Sequence, residues 1–447
     1  MKRFLFLLTA VFCLGAGALF ALDLPAGKVL FVSAETGSAR GDGTQQKPYK
    51  DLQKAIEKAE DGTTICVAEG NYLGRLNQGY IVIDKYVTVQ GGYNRDFTDR
   101  DFTRYLTTVR PGVEQAGTSG GHPVVELTMT GKADGCAVID GLMVDKGQMN
   151  NYCKADVSRA DSGTPAGCET GRLLPPGSGA VGGSTGGATI AQKLLGGTCE
   201  GNIVIRNCAF VNGNNYGIQL GFRQGKVEIC NCVFVANCMA ACEVNGMNAD
   251  CTRCRVDFHH NTVLFSWTRE KTLEDMGYGF RFMTGNQADV HHNIFGCSVL
   301  AALDRGRVRT PAEEAKRKTS AYDNAFFMNH ADLALPSGGG KWLFVPAAQF
   351  EEVEQLEQYE GNVEMSAEDG KALQAAVDAA YLKGCAALNV TSEQQYAPGS
   401  SANELRRLLG LQQQGKETVR VSMFANRYPF ASVPTLFGAV RNYGAQR

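Results

Sequence analysis

Four stretches of the chain decide its fold: IVIRNCAF at 203–210, VEICNCVF at 227–234, VDFHHNTV at 256–263 and ADVHHNIF at 288–295. A fainter fifth copy, AYDNAF, lies at 321–326, and the last positions of successive copies are 24 to 32 residues apart. A self-similar unit of this length is typical of a solenoid, in which each repeat forms one coil. Apolar residues occupy every second position, so each copy predicts a half-buried β-strand.

Stacking the copies places similar residues in columns along the solenoid. One column reads Asn207, Asn231, His260, His292 and Asp323, and the next reads Cys208, Cys232, Asn261, Asn293 and Asn324. Polar columns of this kind satisfy turn amides, as asparagine ladders do between stacked strands. We therefore interpret His260 and His292 as turn residues and assign no metal ligand among the histidines.

A second strand aligns at a constant offset within each coil. GIQLG at 217–221 corresponds to ACEVN at 241–245, GFRFM at 279–283 and ALDRG at 302–306. The alternation turns the second residue of each segment inward and the third outward. We expect the outward column, facing solvent, to consist of Gln219, Glu243, Arg281 and Asp304.

The rest of the chain is predicted to form a signal peptide, a long loop and the segments that cover the two ends of this solenoid. Residues 1–21 combine a basic start, an apolar run and small residues, which is typical of a signal peptide. Residues 22–345 form the solenoid, with a Gly/Ser-rich loop at 146–198. An amphipathic helix near 52–59 covers its N-terminal end. Residues 346–447 form an irregular segment that packs along the solenoid and closes the other end.

Composition excludes several classes of protein. The 447 residues contain 44 Lys+Arg against 46 Asp+Glu, so the chain lacks the excess of positive charge that is typical of nucleic-acid-binding proteins. We also expect no membrane span after signal cleavage. Of the 15 cysteines, Cys13 lies in the signal peptide, and the remaining 14 in an exported chain predict disulfides, with Cys208 and Cys232 at stacked positions and Cys153 and Cys168 in the long loop. We expect a monomer located in the periplasm, at the cell surface or outside the cell.

Short motifs then carry a resemblance. Gly41-Asp-Gly-Thr44, Lys47-Pro-Tyr49, Asp61-Gly62 and Gly70-Asn-Tyr72, together with Tyr396-Ala-Pro-Gly-Ser400, resemble an exported bacterial group within the pectate-lyase-like superfamily. The resemblance implies an all-β fold, a right-handed single-stranded parallel β-helix. The superfamily includes polysaccharide lyases, glycoside hydrolases, epimerases and adhesins, so fold alone does not settle function.

The outward column is the predicted catalytic site. Two coils separate Glu243 from Asp304, about 9.6 Å at a strand spacing of about 4.8 Å. Inverting glycosidases place their two carboxyl groups roughly 6.5 to 9.5 Å apart, so hydrolysis is arguable. For a lyase, the resemblance implies carboxylates that hold Ca²⁺ against a uronate, here Glu243 and Asp304. It also implies an arginine that abstracts the proton, here Arg281 or Arg305. The alternative is a charge-compensated surface ladder.

Further residues are predicted to bind substrate. Arg223 and Arg307, and Arg305 if it is not the base, would anchor an acidic sugar through the guanidinium fork, with Gln219 beside them. The insertion at 267–278 contains Trp267 and Tyr278, which either stack on a sugar ring or cap the edge of the core.

Two functions follow from these features. The first is an extracytoplasmic protein that interacts with acidic polysaccharide, as a lyase rather than a hydrolase. The alternative is a non-catalytic periplasmic or surface β-helix that binds glycan or a protein partner.

Overall fold

The computed structural model describes residues 27–74, 77–111, 122–146, 193–213, 215–267, 277–298, 300–306, 310–337, 341–388, 403, 407 and 428–447. These residues form three sheets of nine strands each, wound as a parallel β-helix. The predicted signal peptide and most of the predicted loop lie outside the described residues.

Each sheet takes one strand from successive coils. Sheet 1 contains β1 (Val29–Val32), β2 (Thr64–Ala68), β5 (Thr88–Tyr93), β8 (Cys136–Asp140), β11 (Asn202–Arg206), β14 (Gly225–Cys230), β17 (Cys254–His259), β20 (Gln287–His291) and β23 (Thr319–Tyr322). Sheet 2 contains β4 (Ile81–Ile83), β7 (Val125–Leu127), β10 (Leu195–Cys199), β13 (Tyr216–Phe222), β16 (Ala240–Gly246), β19 (Tyr278–Phe282), β22 (Ala301–Asp304), β25 (Leu333–Ser337) and β26 (Lys341–Val345). Sheet 3 contains β3 (Gly70–Tyr72), β6 (Thr107–Val109), β9 (Leu142–Asp145), β12 (Ala209–Val211), β15 (Val233–Val235), β18 (Thr262–Leu264), β21 (Ile294–Gly296), β24 (Ala325–Phe327) and β27 (Val363–Glu364).

The predicted repeat is confirmed in register. Ile203 pairs with Val227, which pairs with Val256 and then with Ala288. These residues are buried in one continuous apolar core inside the three sheets. The strands pair in parallel, apart from the antiparallel hairpin of β25 and β26. Parallel strands joined by crossovers coil right-handedly, the hand that the resemblance implies.

Both predicted turn columns are confirmed. Asn207, Asn231, His260, His292 and Asp323 have φ between 50° and 55°, the left-handed region that asparagine and histidine enter more readily than most residues. In the next column, Asn293 Oδ1 accepts from the Asn261 amide at 2.9 Å, and Asn324 Oδ1 accepts from the Asn293 amide at 3.1 Å. Each turn thus fixes the next one.

Both ends of the core are covered. Helix α1 (Leu52–Lys58) begins at Asp51, whose side chain accepts from the Lys54 amide, and it buries Leu52, Ala55 and Ile56 over the first coils. At the other end, a 3₁₀ segment (Ala347–Glu352) places Phe350 against Phe326, with ring centroids 5.7 Å apart.

The C-terminal segment is more regular than the sequence predicts. It contains two helices, α3 (Ala367–Ala376) and α4 (Ala379–Leu388), and a short helix α2 (Pro311–Glu314) precedes β23. The last residues run along the outer side of sheet 3. There the Ala445 amide donates to Thr262 Oγ1 at 3.0 Å and the Gly444 amide donates to the His292 carbonyl at 2.9 Å.

The predicted end of the long loop is wrong. The loop expected to extend to residue 198 ends earlier, because β10 occupies Leu195–Cys199. Gly197 has a φ of +125°, and a Cβ there would lie 2.1 Å from the Leu127 carbonyl oxygen, so only glycine fits. Because glycine is not typical of strands, the sequence pattern did not predict β10.

The predicted disulfides are absent among the eleven cysteines whose side chains the structure describes, all of which are free thiols. Cys208 Sγ donates to the Arg206 carbonyl at 3.1 Å and Cys232 Sγ to the Cys230 carbonyl at 3.2 Å. Each thiol also contacts a carbonyl oxygen of the preceding coil, Ile139 for Cys208 and Ile205 for Cys232. Cys153 and Cys168 lie outside the described residues.

No helix in the described part of the chain has both the length and the apolar character needed to cross a bilayer.

Candidate functional site

The predicted outward column exists on sheet 2. Gln219 pairs in register with Glu243, Glu243 with Arg281, and Arg281 with Asp304, on β13, β16, β19 and β22. The four side chains leave the core because their strand neighbours Ile218, Cys242, Phe280 and Leu303 point inward and are buried.

Arg281 joins the two carboxylates of this column. Its Nε donates to Asp304 Oδ2 at 2.8 Å, and its Nη1 donates to Glu243 Oε2 at 3.3 Å. The other oxygen of Glu243 accepts from Gln219 Nε2 at 2.7 Å and from Asn245 Nδ2 at 3.0 Å. The column is a continuous chain of polar contacts across four strands.

The structure corrects the expectation that this column faces open solvent. The side chains of Glu243, Arg281 and Asp304 are only 5%, 12% and 3% exposed. The ring of Tyr278, itself buried, lies 4.7 Å from the Arg281 guanidinium carbon and screens one of its faces. Charges this well shielded from water attract each other more strongly than surface pairs do.

The resemblance implies that Glu243 and Asp304 hold Ca²⁺, which requires carboxylate oxygens that are available as ligands. Ca²⁺ takes six to eight oxygen ligands, and carboxylates and amide oxygens are suitable donors. Both oxygens of Glu243 and Oδ2 of Asp304 already accept hydrogen bonds within the column. The column therefore does not fit Ca²⁺ in this conformation, and no reaction step is derived through that ion.

The polar row is longer than the sequence predicts. Glu126 on β7 pairs with Gly196, which pairs with Gln219, so the outward row reads Glu126, Gly196, Gln219, Glu243, Arg281 and Asp304. Six adjacent strands span about 24 Å. The alternation of VVELTM at 124–129 could have revealed Glu126, but the segment lies before the recognised copies.

An aromatic pair stands beside Glu126. The rings of Tyr80 and His122 are stacked, with centroids 4.3 Å apart and planes 9° from parallel. His122 Nδ1 lies 2.5 Å from Glu126 Oε2, and the His122 side chain is 39% exposed. The repeat pattern did not mark these residues, because both lie before the recognised copies, on the consecutive coils that contain β4 and β7.

The structure separates the predicted arginines from one another. Arg305 is 3% exposed, and its guanidinium donates to Glu314 Oε1 at 2.8 Å and to Thr319 Oγ1 at 3.0 Å. Burial lowers the pKa of Arg305, while the nearby Glu314 carboxylate opposes this shift. Arg305 also lines a cavity of 620 Å³ with Leu335 and Leu343.

Arg223, in contrast, is exposed directly after β13. Arg307 lies outside the described residues.

The two predicted aromatic residues are part of the structure's interior. Trp267 is 3% exposed and its Nε1 donates to the Ala236 carbonyl at 3.1 Å. Tyr278 is fully buried in a small apolar cluster with Tyr216, Ala240 and Ala301. Their positions agree with the alternative of capping the edge of the core. The insertion between them, residues 268–276, lies outside the described residues.

Comparison with known proteins gives one family match, which covers part of the chain. Residues 35–141 match the model of a family described as "Protein of unknown function (DUF1565)", and this match includes the motifs between residues 41 and 72. No curated protein matches the chain. The fold is that of the parallel β-helix proteins.

Several solved structures are similar at low identity. The chain is similar to pectate lyase Pel9A, with 11% identity and a TM-score of 0.40 over 78% of this chain and 83% of the other. It is similar to pectin methylesterase PemA from Erwinia chrysanthemi, with 11% identity and a TM-score of 0.38 over 77% and 92%. A pectin methylesterase in complex with a hexasaccharide has 10% identity and a TM-score of 0.33 over 77% and 92%. Activity has to be argued from the residues of this chain.

Proposed function

We propose that this chain is an extracytoplasmic β-helix protein that binds a uronate-containing polysaccharide along the outer face of sheet 2. The observation that carries the proposal is the polar row from Glu126 to Asp304, which is held on adjacent strands and is partly exposed at Glu126 and Gln219. Rigid strands hold polar groups at fixed intervals, which suits a polymer with a regular repeat.

An aromatic pair beside the row and an exposed arginine further along sheet 2 favour a sugar ligand. The partly exposed Tyr80–His122 pair presents aromatic surface next to Glu126, and an amphipathic ring provides an apolar face for a sugar ring. Arg223 is exposed directly after β13 on the same outward side, four residues beyond Gln219 and so about 13 Å along the strand from the row. Its guanidinium can bind a uronate carboxylate with two parallel hydrogen bonds, so the preference is for an acidic polymer.

Binding is tested by calorimetric titration of the purified protein with polygalacturonate, using a neutral glucan for comparison. Loss of Arg223 in an Arg223→Gln variant removes a charge-assisted hydrogen bond, worth about 1.5 to 3 kcal/mol, or roughly tenfold to a hundredfold in affinity. Arg104→Gln, an exposed arginine on the loop before β6, is the matched control and is expected to bind like the wild type. The proposal fails if the wild type does not bind the acidic polymer, or if the two variants behave alike.

The second candidate is a lyase, and the central position of Arg281 between two carboxylates favours it. In such a reaction a base takes the proton next to the uronate carboxyl group, a carbon–carbon double bond forms and the glycosidic C–O bond breaks. Arg281 donates to both Glu243 and Asp304, so to act as this base it has to leave these partners and give up a proton of its own first. The described geometry supports binding better than catalysis.

The two candidates differ in product. Incubation with uronate polymers, with and without added Ca²⁺, is followed through the absorbance of the new double bond. Release of unsaturated product by the wild type and its loss in Glu243→Ala would establish the lyase. If no polymer releases product, and Glu243→Ala binds polygalacturonate as the wild type does, the row has no catalytic role.

A further inference from the structure

A second cluster of chemically active side chains lies on the outer face of sheet 1, away from the polar row. On β14, Glu228 and Cys230 are two residues apart and both point outward. On the adjacent strand β17, His259 lies directly opposite Cys230 in register. Strand alternation and parallel pairing therefore bring a carboxylate, a thiol and an imidazole to one place.

The three donor atoms form a compact triangle. Glu228 Oε1 lies 3.7 Å from His259 Nε2 and 3.9 Å from Cys230 Sγ. All three donor atoms lie within 4.8 Å of one another. In a tetrahedral zinc site the corresponding ligand separations are roughly 3.3 to 3.5 Å, given metal–ligand distances of about 2.0 to 2.3 Å. The two separations from Glu228 Oε1 exceed these values by about 0.4 Å, and the third, between Cys230 Sγ and His259 Nε2, exceeds them by at most about 1.5 Å. Closing the triangle around an ion requires shifts of this size.

Neighbouring groups orient two of the donors. Lys226 Nζ donates to the other oxygen of Glu228 at 2.7 Å, which leaves Oε1 directed at the triangle. His259 Nδ1 and His260 Nδ1 are 2.9 Å apart, so one of these nitrogens carries the proton between them. When His259 donates, its Nε2 has a lone pair directed toward Glu228 and Cys230. Metal-binding histidines are commonly oriented by such a contact of the second ring nitrogen.

The structure also distinguishes these residues from the turn histidines. His260 and His292 have positive φ and belong to the turn column, whereas His259 and His291 project from strands. His291 Nε2 lies 3.3 Å from Asp257 Oδ1 on the preceding strand, in an arrangement that repeats the contact of His259 with Glu228. The two histidines differ in the residue that lies opposite them on the preceding strand. For His259 this residue is Cys230, whereas for His291 it is His259, so only His259 has a thiol beside it in register.

We propose that Glu228, Cys230 and His259 bind a thiophilic divalent cation such as Zn²⁺. One thiolate, one carboxylate and one neutral imidazole balance the charge of the ion, and sulfur and nitrogen donors suit zinc rather than Ca²⁺ or Mg²⁺. The Glu228 and His259 side chains are 30% and 21% exposed, so water can reach a fourth coordination position. Three protein ligands with one open position are characteristic of zinc sites that accept an exogenous ligand. The site is independent of polysaccharide binding on sheet 2.

The test uses Zn²⁺ and Co²⁺ with the purified full-length chain after its cysteines have been kept reduced and free metal removed. Calorimetry gives the affinity and stoichiometry for Zn²⁺, and the thiolate-to-cobalt charge-transfer absorption reports a cysteine ligand directly. The variants are Cys230→Ser and His259→Asn. Their controls are Cys136→Ser, an exposed thiol on β8, and His291→Asn, the equivalent histidine one coil further.

We expect one Zn²⁺ per chain and a charge-transfer band that Cys230→Ser abolishes. Each ligand variant is expected to weaken binding at least tenfold, since loss of even an outer partner of a ligand costs about 10- to 100-fold. The two control variants are expected to retain the wild-type affinity and spectrum. Circular dichroism of each variant checks that the fold is kept. The proposal is overturned if the wild type binds no Zn²⁺, if Cys230→Ser keeps the band, or if Cys136→Ser loses it.

Discussion

Replacement of Asn293 by alanine tests the role of the asparagine ladder in holding the coils together. Asn293 is fully buried, and its Nδ2 donates to the Phe258 carbonyl at 3.0 Å and to Asn324 Oδ1 at 2.9 Å. Its Oδ1 accepts from the backbone amide of Asn261 at 2.9 Å and from Asn261 Nδ2 at 3.1 Å. Four polar groups on the two neighbouring coils thus depend on one side chain.

The expected loss follows from which of these groups keep another partner. Asn324 Oδ1 still accepts from the Asn293 amide, and Asn261 Nδ2 still donates to the Ile229 carbonyl. The Asn261 amide and the Phe258 carbonyl lose the bonds made by Asn293. At roughly 1 to 3 kcal/mol for each of these two buried polar groups without its partner, Asn293→Ala should lower the free energy of unfolding by about 2 to 6 kcal/mol.

The measurement is urea unfolding followed by far-ultraviolet circular dichroism, with Asn71→Ala as the control at an exposed asparagine on β3. Solenoids can unfold from one end, so hydrogen exchange provides a local readout. The amide of Asn261 should lose protection in Asn293→Ala and keep it in Asn71→Ala. A loss of stability below about 1 kcal/mol, with the Asn261 amide still protected, would refute the reasoning.

Three further predictions concern buried polar groups. Asp140 is 1% exposed and its carboxylate accepts from Arg100 at 2.7 Å, so Asp140→Ala should cost about 3 to 5 kcal/mol in urea unfolding, and a cost below about 1 kcal/mol would contradict this. Burial lowers the pKa of Lys146 to about 7. Between about pH 7 and 10.5 the unfolded chain therefore binds one proton more than the folded chain, and the free energy of unfolding should rise with pH in that window. Lys146→Met should lose this rise, and an equal pH dependence in the two proteins would contradict the prediction. Alkylation of the denatured, unreduced protein should label Cys208 and Cys232, as free thiols do, and mass spectrometry showing them joined would disprove it.

Much of the fold could be predicted because it depends on the pattern of apolar and turn residues within short segments. The apolar alternation of 203–210 and its copies predicted the strands of sheet 1, and the turn column at Asn207 and His260 marked where the chain bends. In a stacked coil each residue lies above its equivalent in the previous repeat. The register of one pair of copies therefore determines the register of the neighbouring pairs.

Prediction failed where the repeat signal is weak. Strand β10 is glycine-rich, so neither apolar alternation nor β-branched residues marked it. Glu126 lies before the recognised copies, and its place in the polar row follows only from the pairing of β7 with β10. The cysteines were expected to pair because of the exported character of the chain, whereas Cys208 and Cys232 donate to carbonyl oxygens in their own turns.

The sequence by itself determined the parallel β-helix, its turn columns and the neighbours of Glu243 in the outward column. These features depend on a two-residue alternation and on a repeat, both of which are properties of short segments. Only the tertiary structure decided that Arg281 contacts both carboxylates and is nearly buried. Only it directs Glu228, Cys230 and His259 at one point. Such contacts join residues from different coils, and the lengths of the intervening turns and the side-chain rotamers, which no local pattern specifies, determine whether the atoms meet.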